Sequence, residues 1–181
     1  MPVLSDRVGT FTDSVIRRMT RINNQYDSVN LSQGFPDFDP PQQLLDALAK
    51  TAYNGPHQYA VTFGAQNFRE ALAKKTSPAL HHEVDPNTEV CVTCGGTEAM
   101  MAAMMTICNP GDKVMIFSPF YENYGADAIL SGAEPIYIPL VPPTYEFDIS
   151  LIEKGFAEGA KALILCNPSN PCGKVFRRDE L

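Results

Sequence analysis

Apolar positions recur along this chain in two rhythms, and the rhythm changes near residue 88. Before that point the spacing is helical. Pro40 and Pro41 open a helix in which Leu44, Leu45, Leu48 and Ala52 return at helical spacing, with Gly55 as its stop. A second helix is predicted from Gly64 to about Thr76, with Phe68, Ala71, Leu72 and Lys75 in helical order, and Pro78 closes it. Residues 1–40 form an N-terminal arm.

After residue 88, short apolar runs alternate with helical patterns. Strands are predicted at about 89–94, 113–118, 135–140 and 161–166, and helices at about 97–108, 120–131 and 148–158. Such alternation means parallel strands joined by crossover helices. The predicted fold class is therefore α/β, a mostly parallel sheet with flanking helices in an α/β/α sandwich. Met100, Met101, Met104 and Met105, all on one of these helices, read as packing against the sheet.

Composition narrows the function. The 181 residues are 44% apolar and 19% charged, enough for a globular core. Fourteen Lys and Arg against 21 Asp and Glu leave a net charge of −7, which argues against nucleic-acid and anionic-membrane partners. No apolar run of about 18 residues occurs, and Met1–Arg7 lacks the basic-then-apolar order of a secretory leader, so a cytoplasmic location is expected. The five cysteines form no even-numbered framework and are expected to be reduced. Cys91 and Cys94 have redox or metal spacing, but in a strand residues three apart face opposite ways. His57, His81 and His82 show no second pair at ligand spacing. No metal site is predicted.

Candidate chemistry gathers where predicted strands end. Asn167-Pro168-Ser169-Asn170-Pro171-Cys172-Gly173 comes directly after the apolar run Ala162–Cys166, so a buried parallel strand delivers a proline-stiffened loop to the carboxyl edge of the sheet, where ligands bind. Cys94-Gly95-Gly96-Thr97 stands where a strand meets a helix. Its glycines admit close approach to backbone N–H groups, Thr97 adds a hydroxyl, and the helix N-terminus favours an anion such as phosphate. The same residues also make an ordinary turn and cap. Phe117-Ser118-Pro119-Phe120-Tyr121 turns another strand end into a helix, with Tyr121 read as ligand contact or packing.

Taken together from about Ser14 to Leu181, these segments resemble the class I/II aminotransferases, the pyridoxal-phosphate (PLP) enzymes of fold type I, whose loop reads N-P-x-N-P-x-G. The resemblance implies that Gly95, Gly96 and Thr97 grip the cofactor phosphate. It implies that Tyr121 stacks on the ring and that Asn170 hydrogen-bonds its phenolic oxygen, with Asn167 structural. Leu31–Phe38 resembles the substrate segment, in which the Gly34 amide approaches the substrate carboxylate. His57-Gln58-Tyr59 resembles the segment whose tyrosine reaches the neighbouring subunit's cofactor phosphate, which implies a homodimer. Residues 1–40 would be the arm and substrate segment, and 41–181 the N-terminal part of the PLP-binding large domain.

The implied reaction moves an amino group from an amino acid to a 2-oxo acid. The family's Asp-x-x-Tyr turn, Ser-x-x-Lys loop and carboxylate-binding arginine have no match here. Lys174, though near the Asn170 loop, does not occupy the lysine motif, so the Schiff-base lysine is expected outside this chain and no catalytic residue is assigned within it. Arg177–Leu181 reads as the first turn of a helix, which predicts a portion of a longer fold. Carbon–sulfur lyases and aminocyclopropane-carboxylate synthases share these cofactor motifs, and a non-catalytic fragment stays open. An effector-sensing module fused to a DNA-binding domain would call for a helix-turn-helix, which is missing, and the charge is acidic. A partial parallel sheet would also leave an apolar edge prone to aggregation.

Overall fold

The structure of the protein, a computed structural model, describes residues 3–10 and 13–181; Met1, Pro2, Phe11 and Thr12 lie outside the described residues. The chain falls into two units, residues 13–93 and residues 3–10 with 94–181.

Three helices make up most of residues 13–93: α1 (Val15–Tyr26), α2 (Gln42–Asn54) and α3 (Gln66–Leu80). α2 matches its prediction, and Gly55 ends it at φ 65°. No helix is predicted in the arm, yet α1 occupies it. Ser14 caps it, its Oγ accepting from the Arg17 N–H at 3.2 Å, and Val15, Ile16, Met19 and Ile22 recur at helical spacing. α3 continues through Pro78 instead of closing before it. A proline in the last turn forfeits one ladder bond, and the helix stops two residues later with His81 at φ 50°.

Only Arg69, Ala73 and Val84 are buried among the described residues of this unit. The Arg69 guanidinium donates from Nε to the Gly64 carbonyl at 3.1 Å, from Nη1 to the Pro86 carbonyl at 2.5 Å, and from Nη2 to Gln66 Oε1. Residues 89–94, predicted as a strand, form none. Val92 N–H donates to the Phe63 carbonyl at 2.9 Å, and no strand lies alongside among the described residues. β-Branched residues favour extended backbone, but a strand needs a neighbour to complete its ladder. The opposite-face argument for Cys91 and Cys94 therefore lapses. Both are exposed free thiols, and among the described residues no three His, Cys, Asp or Glu side chains group as metal ligands.

The second unit contains α4 (Gly95–Ile107), β1 (Lys113–Ser118), α5 (Asn123–Leu130), β2 (Glu134–Pro139), α6 (Ile149–Ala157) and β3 (Ala160–Ile164), close to the predicted bounds. The sheet order is β2-β1-β3, both pairings parallel, so β1 is central. Val114, Met115, Ile116 and Phe117 are buried in succession, as a parallel strand covered on both faces requires. Alternation sends Val114 and Ile116 into one cluster with Met104, Cys108, Ala128 and Ile164. Met115 and Phe117 enter the other with Ile138, Leu140, Ile152 and Phe176. Gly155 on α6 lets Met115 fit: a Cβ there would meet its Sδ at 2.3 Å.

The methionines of α4 divide by face. Met104 is buried and Met100 packs against the core, but Met105 is 66% exposed, so packing accounts for one face of the helix only. Among the described residues no helix is long and apolar enough to cross a membrane.

Candidate functional site

Parallel strands end together, so the segments that leave β1 and β3 share the carboxyl edge of the sheet with the start of α4. Gly95 adopts φ +81°, the left-handed turn that feeds the helix. The amides of Gly96 and Thr97 lie in the first turn, where an α-helix supplies no acceptor for them. A Cβ built on Gly95 or Gly96 meets nothing within 4 Å, so the space above these glycines is open to a ligand. Glu98 takes the Cys94 N–H with its carboxylate, closing the turn from the protein side.

A cavity of about 330 Å³ opens there, between α4 and α5, and Gly96, Thr97, Met100, Tyr121, Asn123, Tyr124 and Asp127 line it. Gly96, Thr97 and Tyr121 are thus brought onto one cavity. Asn170 is exposed and lines a smaller adjoining recess, which shares Tyr124 and also touches Phe120, Cys166 and Ser169. Tyr121 and Tyr124 meet edge to face at 5.7 Å. The Cys166 thiol beside it, burial and Tyr121 push the Tyr124 hydroxyl up to about 12, so it stays a neutral donor.

The Asn170 loop is held by its own neck. Asn167 accepts the Phe176 N–H at Oδ1 (3.0 Å) and donates to the Phe176 carbonyl through Nδ2 (3.2 Å), so its carboxamide is structural. Phe176 in turn packs on Phe117 of β1 with ring centroids 4.9 Å apart. Inside the loop, Ser169 N–H donates to the Lys174 carbonyl and Gly173 N–H to the Ser169 carbonyl, both at 2.8 Å. Lys174 is spent on a largely buried ion pair with Glu180.

Sequence reading missed two cavity residues. Asn123 donates from Nδ2 to Thr97 Oγ1 at 2.8 Å. Asp127 is 4% exposed, its Oδ2 has no hydrogen-bond partner among the described residues, and burial pushes its carboxyl up. Their helical register was legible, but not the face of α4 opposite them. Tyr59 and Gly34 belong to residues 13–93. Tyr59 is fully exposed, and Gly34 is exposed with no atom within 4 Å of a Cβ built on it.

A glycine turn at a helix N-terminus, a nearby tyrosine and a carboxamide loop, all at one edge of a parallel sheet, make this an α/β protein with N–H donors, an aromatic ring and an amide around one open edge. Comparison with known proteins makes this specific. The family model for class I and II aminotransferases matches residues 26–181, and the chain belongs to that family. It is similar to methionine aminotransferase of Escherichia coli, 35% identical over 91% of this chain and 43% of that one. It is also similar to human kynurenine–oxoglutarate transaminase 1, 34% identical over 89% of this chain and 41% of that one.

Solved structures agree. The E. coli methionine aminotransferase superposes with a TM-score of 0.89 and 32% identity, covering 99% of this chain and 47% of that one. The N-succinyldiaminopimelate aminotransferase of Mycobacterium tuberculosis gives 0.88 and 33%, covering 98% and 47%. The fold is that of the fold type I PLP aminotransferases, and the family depends on PLP. The chain spans less than half the length of these relatives.

Proposed function

We propose that this chain is the cofactor-holding portion of a PLP-dependent aminotransferase that moves an amino group from an amino acid to a 2-oxo acid. The observation that carries the reading is the cavity that gathers Gly96, Thr97 and Tyr121 beside the Asn170 loop. PLP supplies an electron-withdrawing ring that acidifies the carbon bearing the amino group. Gly96 and Thr97 offer donors for its phosphate, with Gly95 shaping the turn. Tyr121 offers a ring to stack on the pyridine, and Asn170 an amide donor for the phenolic oxygen.

The protein's part in this is binding and orientation. No lysine lines the cavity, and Lys174 is engaged by Glu180, which supports placing the Schiff-base lysine outside these 181 residues. The domain reading takes 1–40 as arm and substrate segment and 41–181 as the first part of the large domain. In it the Gly34 amide meets the substrate carboxylate. Tyr59, fully exposed with a hydroxyl at its tip, serves the partner subunit's cofactor in a homodimer. Five unpaired cysteines favour a reducing, cytoplasmic setting.

The test is a spectral titration of the intact protein with PLP, with amino acid and then 2-oxo acid added afterwards. A bound-cofactor band that changes with the first and returns with the second is expected. Absence of any bound band would overturn the reading. Asn170→Ala should shift that band and slow turnover, and unchanged spectra with unchanged turnover would remove its assigned role.

A further inference from the structure

We propose that Asn123 is a positioning residue for the phosphate: by donating to the Thr97 oxygen it leaves the Thr97 hydroxyl proton aimed at the bound anion. A hydroxyl carries one proton and two acceptor lone pairs. Three threonines further inside helices of this chain spend their proton on the carbonyl four residues back. Thr20 bonds Ile16 at 3.1 Å, Thr51 bonds Ala47 at 3.0 Å and Thr106 bonds Ala102 at 2.7 Å. Thr97 departs from that habit. It stands in the first turn of α4, accepts from Asn123 Nδ2 at 2.8 Å, and donates to none of the described residues.

The bond from Asn123 occupies one acceptor site of the Thr97 oxygen and leaves its proton free for the cavity. Thr97, Gly96 and Asn123 line the same cavity, so an anion seated over the open glycine face meets a hydroxyl already oriented as a donor. Asn123 opens α5 and α4 begins at Gly95, so the bond also ties together the two helix starts that frame the cavity. No side chain of opposite character could substitute. An aspartate at 123 would accept the Thr97 proton, turning the hydroxyl away and setting a carboxylate beside the phosphate.

This rests on the reading of Gly96 and Thr97 as the phosphate cradle, and the test separates the two. The dissociation constants of PLP and of pyridoxal, which lacks the phosphate, are measured on the intact protein. Their ratio isolates the phosphate contact from ring contacts and from general damage to the fold. Asn123→Ala should weaken PLP about ten- to hundredfold, the size of one hydrogen bond to a charged group, while leaving pyridoxal unchanged. Asn123→Asp should weaken PLP further.

In a Thr97→Val background, Asn123→Ala should cost little more, because its effect passes through the hydroxyl. Wild type that binds pyridoxal as tightly as PLP would sink the cradle itself. A wild-type preference for PLP that survives Asn123→Ala, or one lost equally with and without the Thr97 hydroxyl, would sink the role of Asn123 alone.

Discussion

Residues 13–93 and residues 94–181 solve the problem of a folded interior in opposite ways. The second unit wraps an apolar strand: Val114, Met115 and Ile116 are at most 1% exposed, and clusters cover both faces of the sheet. The first unit has a guanidinium at its centre, Arg69, holding Gly64, Gln66 and Pro86 by hydrogen bonds, with only Ala73 and Val84 buried beside it. Its helices α1 and α2 bury nothing, and Leu44, Leu48 and Tyr53 are 60%, 68% and 88% exposed. One unit owns its core; the other presents apolar faces.

The contrast can be broken by mutation. Ile116→Ala should cost about 2–5 kcal/mol in urea unfolding, the penalty of a cavity in a packed core. Arg69→Leu should cost about 1–3 kcal/mol by stranding three acceptors, and hydrogen exchange should show the loss confined to residues 13–93. Leu48→Ala should stay within about 0.5 kcal/mol of wild type. A large loss at Leu48 would show that α2 owns a core after all.

The pH dependence sharpens the picture within the sheet unit. Burial raises the Asp127 carboxyl above its unfolded value, so the folded state holds that proton more tightly. The stability it lends is complete below about pH 3.9, the unfolded value, and is lost as pH rises through the raised one. Asp127→Asn should therefore gain on wild type as pH rises from about 4 to about 8. A difference in urea midpoint that stays flat across that range would mean the carboxylate finds a partner in the folded protein.

Where the sequence was readable, one local signal sufficed. The run at β1 announces a doubly covered strand, and the Asn-Pro repeat announces its loop. Residues 89–94 carried the same strand signal without a neighbour, a condition no local pattern reports. α1 was hidden differently, its apolar face at Val15, Ile16, Met19 and Ile22 diluted by Arg17, Arg18, Asn23 and Asn24. Gly95, Gly96, Thr97 and Tyr121 stood out by residue type at predicted strand ends. Asn123 and Asp127 did not, because their roles exist only once α5 lies against α4.

The two glycines at the start of α4 answer to different masters. Gly95 is held to glycine by its backbone angle, so any replacement is felt by folding itself. At Gly96 the added carbon touches no protein atom. A side chain there would meet open space and, on the proposed reading, stand where the cofactor phosphate would sit. On that reading selection sees the position only through the ligand, so a lineage that stopped using it would let Gly96 drift while Gly95 stayed.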